Sequence, residues 1–194
     1  GNILPDGGRV VLMGEDVTRA PAMKRVRMGV GRSFQIPQPF EGMTVFENLL
    51  TAAAFGRGLP EGQVAEDCAD ILRRIGLLPR ANQLAGGLTL LDRKRLELGR
   101  AMATAPHLLL LDEIAGGLTE AECHELVATI RDIRASGVSI IWIEHIVHAL
   151  TAVVERLIVI NFGKVVADGA PGAVMADPFV QEIYMGIEVD DDAA

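Results

Sequence analysis

The run His107-Leu-Leu-Leu-Leu-Asp112-Glu113 constrains this chain more than any other stretch. Four consecutive leucines suit a strand buried on both faces of a parallel sheet, and they are far too few to span a membrane. Two carboxylates follow at once. In open α/β sheets, ligands bind beyond the carboxyl ends of the strands, so this strand delivers negative charge where a ligand sits. A second apolar run, Val138-Ser-Ile-Ile-Trp-Ile143, is read as another buried strand and ends on Glu144-His145. Two buried strands with ionisable tips predict an α/β fold whose chemistry lies along one edge of the sheet.

Composition narrows the class. At 194 residues the chain fits one domain able to bury about 70% of its unfolded surface. Its 49% hydrophobic content supports a packed core, and its net charge of −8 opposes a surface built for nucleic-acid phosphates. Cys68 and Cys123 are isolated, so neither a zinc site nor a disulfide framework is indicated. Part of the acidity, Glu188-Val-Asp-Asp-Asp192, reads as a solvated terminus. With no signal-peptide pattern and no long apolar run, the expectation is a reduced, cytoplasmic α/β protein.

Along the chain, residues 9–16 read as a short strand and turn, 21–27 as a short helix, and 28–34 as a strand whose glycines suggest close backbone approach. Thr44-Val-Phe-Glu47 is a capping-box pattern that opens a helix to about Ala54. Helices follow over about 61–75, stopped by Gly76, and over 92–105 with Asp92 as N-cap. Thr119-Glu-Ala-Glu122 opens another to about Ala135. A short helix begins near Ile146, residues 156–168 read as a hairpin turning at Asn161-Phe-Gly163, and the end is helical in short pieces. The alternation predicts a mostly parallel α/β layer with a helical insert at about 44–105.

These motifs together resemble the ATP-binding subunit of an ABC importer of the branched-chain amino-acid type, a P-loop NTPase-like fold. The resemblance covers residues 1–194 as one nucleotide-binding domain. It starts just after the place where the family's phosphate loop and following helix end, and G-x-x-x-x-G-K-[ST] occurs nowhere in the sequence. It therefore implies an incomplete domain, truncated before its phosphate loop, with weak or absent ATP binding and no activity alone. Phe34-Gln35, ahead of Met43-Thr-Val-Phe-Glu-Asn-Leu49, resembles the Q-loop, whose amide touches Mg2+ and the attacking water. Asp112 and Glu113 resemble the Walker B pair, implying that Asp112 holds Mg2+ partly through water and Glu113 activates the nucleophile. The family's usual Pro is Ile114 here. His145 resembles the switch histidine that bonds the γ-phosphate. His148 offers a second imidazole, but no third metal ligand is evident.

The signature motif departs most. The register of Arg95-Leu-Glu-Leu-Gly-Arg100 places Thr89 as the hydroxyl facing nucleotide, with Leu90 and Leu91 in place of two glycines. If those positions need left-handed backbone, each leucine costs roughly 1–2 kcal/mol. Leu84-Ala-Gly-Gly-Leu88 is a decoy without the hydroxyl. Thr119 stands where the family has the D-loop Asp. The stretch from Val165 to Gly186 resembles the importer group's end. The resemblance implies ATP and Mg2+ as ligands, a head-to-tail dimer with a second ATP-binding subunit, and integral-membrane permease partners. It also implies a peripheral place on the inner face of the plasma membrane, with the loop Ile36-Pro-Gln-Pro-Phe-Glu41 and the helical insert facing the permease. Two rivals stand beside this reading: a non-hydrolysing regulatory or docking remnant, and the ATPase of a lipid or polysaccharide exporter.

Overall fold

A computed structural model describes residues 1–185. The acidic terminus at 188–192 and the Gly186 end of the importer-like stretch lie outside the described residues. The chain divides into two compact units, Gly1–His145 and the part from Ile146 onward.

The first unit opens with a hairpin of β1 (Val11–Leu12) and β2 (Glu15–Asp16), then helix α1 (Ala22–Arg27). Pro21 is the N-cap of α1, not its first residue. Strand β3 (Val30–Arg32) pairs in parallel with β4 (Leu108–Asp112), and β4 pairs in parallel with β5 (Ser139–Ile143), giving the order β3-β4-β5. Parallel strands need long crossovers. Here α5 (Glu120–Ala135) separates β4 from β5, and an α-helical stretch separates β3 from β4.

That stretch contains α2 (Val45–Arg57), α3 (Glu61–Arg74), 3-10 turns at Leu78–Arg80 and Ala85–Gly87, and α4 (Leu90–Ala103). Its core follows helical spacing: Val45, Leu49 and Ala53 on α2 meet Val64, Cys68 and Leu72 on α3, with Leu96 and Ala103 from α4. Gly76 takes a left-handed φ of 75° after α3, as its position predicts. The start of α4 differs from the sequence expectation. Thr89 is its N-cap and accepts from the Asp92 amide, so Asp92 sits in the first turn. Leu90 and Leu91 lie inside this right-handed helix, so the left-handed cost does not arise.

Burial also corrects the strand reading. On β4, Leu109 and Leu111 are fully buried, while Leu108 and Leu110 are half-buried. On β5 only Trp142 is buried, and Ile141 and Ile143 are 55% and 63% exposed. The reason is position: among the described strands β5 pairs with β4 alone, so it is a sheet edge.

In the second unit, after α6 (Val147–Thr151), β6 (Leu157–Asn161) and β7 (Lys164–Gly169) form an antiparallel hairpin. Its turn residues Phe162 and Gly163 both have positive φ, 45° and 76°, which matches the twist of a two-residue hairpin. Helices α7 (Pro171–Met175) and α8 (Pro178–Met185) follow, and Val159, Val174 and Val180 make a small core.

Candidate functional site

The tips of the three parallel strands bring together Arg32, Gln35, Asp112, Glu113 and His145. From β3 the chain runs through Arg32 to Gln35. From β4 it delivers Asp112 and then Glu113, whose amide still donates to the Ile143 carbonyl at 2.9 Å. At Glu113 the backbone turns left-handed, with φ 44°, a conformation that costs a non-glycine residue about 1–2 kcal/mol. Such strain clusters at functional sites. Here it accompanies a side chain whose Oε2 accepts from Gln35 Nε2 at 2.7 Å and lies 3.6 Å from His145 Nδ1.

Gln35, Glu113 and His145 thus form one constellation, and Asp112 stands beside it. One carboxylate is held between an amide and an imidazole, with its side chain one-third exposed and reachable by water. Asp112 is engaged by Arg32, whose Nη2 donates to Oδ2 at 2.9 Å. Arg32 also lies 4.7 Å from the centre of the Phe34 ring. Phe34, Gln35, Ile36, Gln38, Glu97, Arg100 and Asp112 line an open groove of about 500 Å³.

Three contributors lie outside the residues expected from sequence. Arg32 balances Asp112. Glu144, with a fully buried side chain, accepts from the Ala115 amide at 3.0 Å and from the His145 amide at 3.0 Å, and lies 3.2 Å from His145 Nδ1. It braces both the turn after β4 and the histidine. Lys94 on α4 is 4% exposed, and its ammonium points at the Gln35 carbonyl at 3.4 Å. Burial pushes the Lys94 ammonium down from its ordinary value, opposed by the charges of Glu144 and Glu113. Glu144 carried a signal, as the end of an apolar strand. Lys94 carried none, because a lysine in a basic helical turn reads as solvated.

Thr89 is committed elsewhere. Its hydroxyl donates to Asp92 Oδ2 at 3.0 Å, and the buried Asp92 is also bound by Arg80 and by Arg95 at 3.6 Å. The N-terminus of α4 therefore already has a carboxylate of its own at its positive end.

The donor set suits a hard cation. Asp112 and the Gln35 side-chain oxygen are oxygen ligands of the kind Mg2+ takes. No group of three His, Cys, Asp or Glu poised for a metal occurs among the described residues. The phosphate-loop motif G-x-x-x-x-G-K-[ST] occurs nowhere in the sequence. No helix among the described residues is long and apolar enough to cross a membrane.

Comparisons with known proteins identify the family. The family described as "ABC transporter" matches residues 1–116. The high-affinity branched-chain amino acid transport ATP-binding protein LivG of Escherichia coli K12 is 36% identical, over 94% of this chain and 77% of its own. The lipopolysaccharide export system ATP-binding protein LptB of Acidithiobacillus ferridurans is 32% identical, over 96% of this chain and 77% of its own. A crystal structure of a nucleotide-free ATP-binding cassette from an ABC transporter superposes with a TM-score of 0.84 at 28% identity, covering 96% of this chain and 80% of that one. With the family match spanning more than half of the sequence and the strand-tip site built as described, the chain belongs to the ABC transporter family of ATP-binding domains.

Proposed function

We propose that this chain belongs to the ATP-hydrolysing subunit of an importer for branched-chain amino acids or a similar small solute. The observation that carries the reading is the Gln35–Glu113–His145 constellation at the tips of the parallel strands. The 36% identity to LivG supports the substrate class.

In this reading Glu113 orients the attacking water and takes its proton, with the Gln35 amide fixing the carboxylate. His145 donates toward the γ-phosphate. Asp112 and Gln35 would hold Mg2+, partly through water, and Thr89 would exchange its bond to Asp92 for one to nucleotide. Mg2+, when bound with ATP, would supply charge neutralisation for the transferred phosphoryl group. The partners are integral-membrane permease subunits, met by the loop at 36–41, and a second ATP-binding subunit head-to-tail. These place the chain on the inner face of the plasma membrane. Phe40 suits such a docking loop: it is 48% exposed, capped by Arg100 at 5.0 Å from its ring centre.

A second reading, a regulatory subunit without turnover, is favoured by α4. Leu90 and Leu91 replace two glycines there, and the Thr89 hydroxyl is turned onto Asp92. The 32% identity to LptB keeps an export system as a third.

Glu113→Gln separates hydrolysis from regulation. The chain is extended at its N-terminus with the phosphate-loop segment of E. coli LivG, and turnover is compared with and without the substitution. Loss of a general base predicts a fall of about 10²–10⁴ in turnover with ATP binding retained. Turnover within a few-fold of the parent moves the base elsewhere, and a parent without turnover favours the regulatory reading.

A further inference from the structure

One face of α4 runs under the loop that carries Gln35. Lys94, Glu97 and Arg100 are spaced three apart, so they share a helical face. Arg100 Nη1 donates to the Gln38 carbonyl at 2.8 Å and to Glu97 Oε2 at 2.9 Å, and its guanidinium covers Phe40. The buried Glu97 carboxylate accepts from the Gln38 amide. From α2, the fully buried Asn48 accepts from the Phe40 amide at 2.9 Å and donates to its carbonyl at 3.1 Å. The loop is thus held at Gln38 by Arg100 and Glu97, and at Phe40 by Asn48. Lys94 alone of this helical face reaches Gln35 itself.

A lysine ordinarily keeps its ammonium in water while its stem packs. At 4% exposure Lys94 does not. A buried ammonium is costly unless it meets compensating charge or dipole. The compensation here is the Gln35 carbonyl and the field of Glu144 and Glu113. The same residue whose carbonyl faces Lys94 has its side-chain amide on Glu113.

We propose that Lys94 is a positioning residue of the hydrolytic site: its buried ammonium holds the Gln35 backbone and so keeps the Gln35 amide on Glu113. The inference deepens the hydrolytic reading and rests on it for its consequence, while the placement of Gln35 is measurable without nucleotide.

The test uses the 194-residue chain, labelled with ¹⁵N, and reads the Gln35 side-chain NH₂ resonances, assigned by their loss in Gln35→Ala. Glu113→Ala supplies the position of the released amide. Lys94→Met should move the Gln35 signals most of the way to that position, and Lys94→Arg should return them. The melting temperature of Lys94→Met should match or exceed the parent's, since a buried charge is removed. Gln35 signals unmoved in Lys94→Met, or moved as far in Lys94→Arg, overturn the proposal. So does Glu113→Ala leaving Gln35 where it is in the parent. If Lys94→Met fails to fold, Lys94→Gln, neutral and polar, is read against the same reference with the same two outcomes. Turnover of Glu113→Gln in the extended chain judges hydrolysis separately, so failure of either claim is recognisable alone.

Discussion

Gly31 shows how one missing carbon lets the sheet and α4 meet. A Cβ built there would lie 2.9 Å from the Ala101 carbonyl oxygen, 3.1 Å from Pro106 Cβ and 3.2 Å from Leu109 Cδ1. The first of these is backbone and cannot rotate away. Gly31→Ala should therefore destabilise the first unit by about 1–3 kcal/mol, the usual cost of overpacking, read as a lower urea midpoint with unchanged slope. This contact was legible in the sequence, because a glycine inside a strand pattern signals close backbone approach. The strand tips were legible too, since Asp112, Glu113 and His145 end apolar runs. Arg32 and Lys94 were not. A charged residue's burial is decided by what packs over it, and for Lys94 that cover includes a loop 59 residues away in sequence.

At the scale of elements, capping chemistry read well where its pattern was unobstructed. Thr44 and Thr119 each form a complete capping box, with Glu47 and Glu122 at the third helical position. Thr44→Ala should cost about 1 kcal/mol, the typical value for an N-cap threonine, measured by chemical denaturation at neutral pH. The Thr44 backbone amide and then its hydroxyl hold the Glu47 carboxyl below the ordinary glutamate range. A depressed folded value means that the stabilisation is present above the unfolded value and is lost as pH falls through the folded one. The penalty of Thr44→Ala should accordingly shrink as the denaturation is repeated at progressively lower pH. The start of α4 was harder to read for a physical reason. Asp92 is itself a good N-cap residue, yet Thr89, three positions earlier, takes the cap, and its hydroxyl also donates to the Asp92 carboxylate. Two apolar leucines between them hid the helix start.

For the whole molecule, the decisive quantity is how many hydrogen bonds the chain offers a triphosphate. The parallel pairing of the strands and the hairpin turning at Asn161-Phe-Gly163 followed from buried runs and turn residues, whereas the strand order and the exposure of β5 did not, because order and edges are properties of the sheet. The strand tips carry carboxylates, and the guanidinium groups beside them are already engaged, Arg32 by Asp112 and Arg100 by Glu97. The buried ammonium of Lys94 faces Gln35. The helix end at α4 carries Asp92. A phosphate loop adds several charge-assisted hydrogen bonds, each contributing about 1.5–3 kcal/mol, and none of the 194 residues forms that motif. Forgoing three of them removes about 4.5–9 kcal/mol, against a total of about 8 kcal/mol for a micromolar complex. Calorimetric titration of the 194-residue chain with Mg-ATP should therefore show no micromolar binding and at most a millimolar affinity from contacts to the base. A micromolar dissociation constant would instead mean that these residues contain a phosphate grip of another kind, with Arg32 as the first group to substitute, since its single bond to Asp112 leaves further N–H donors on a half-exposed guanidinium.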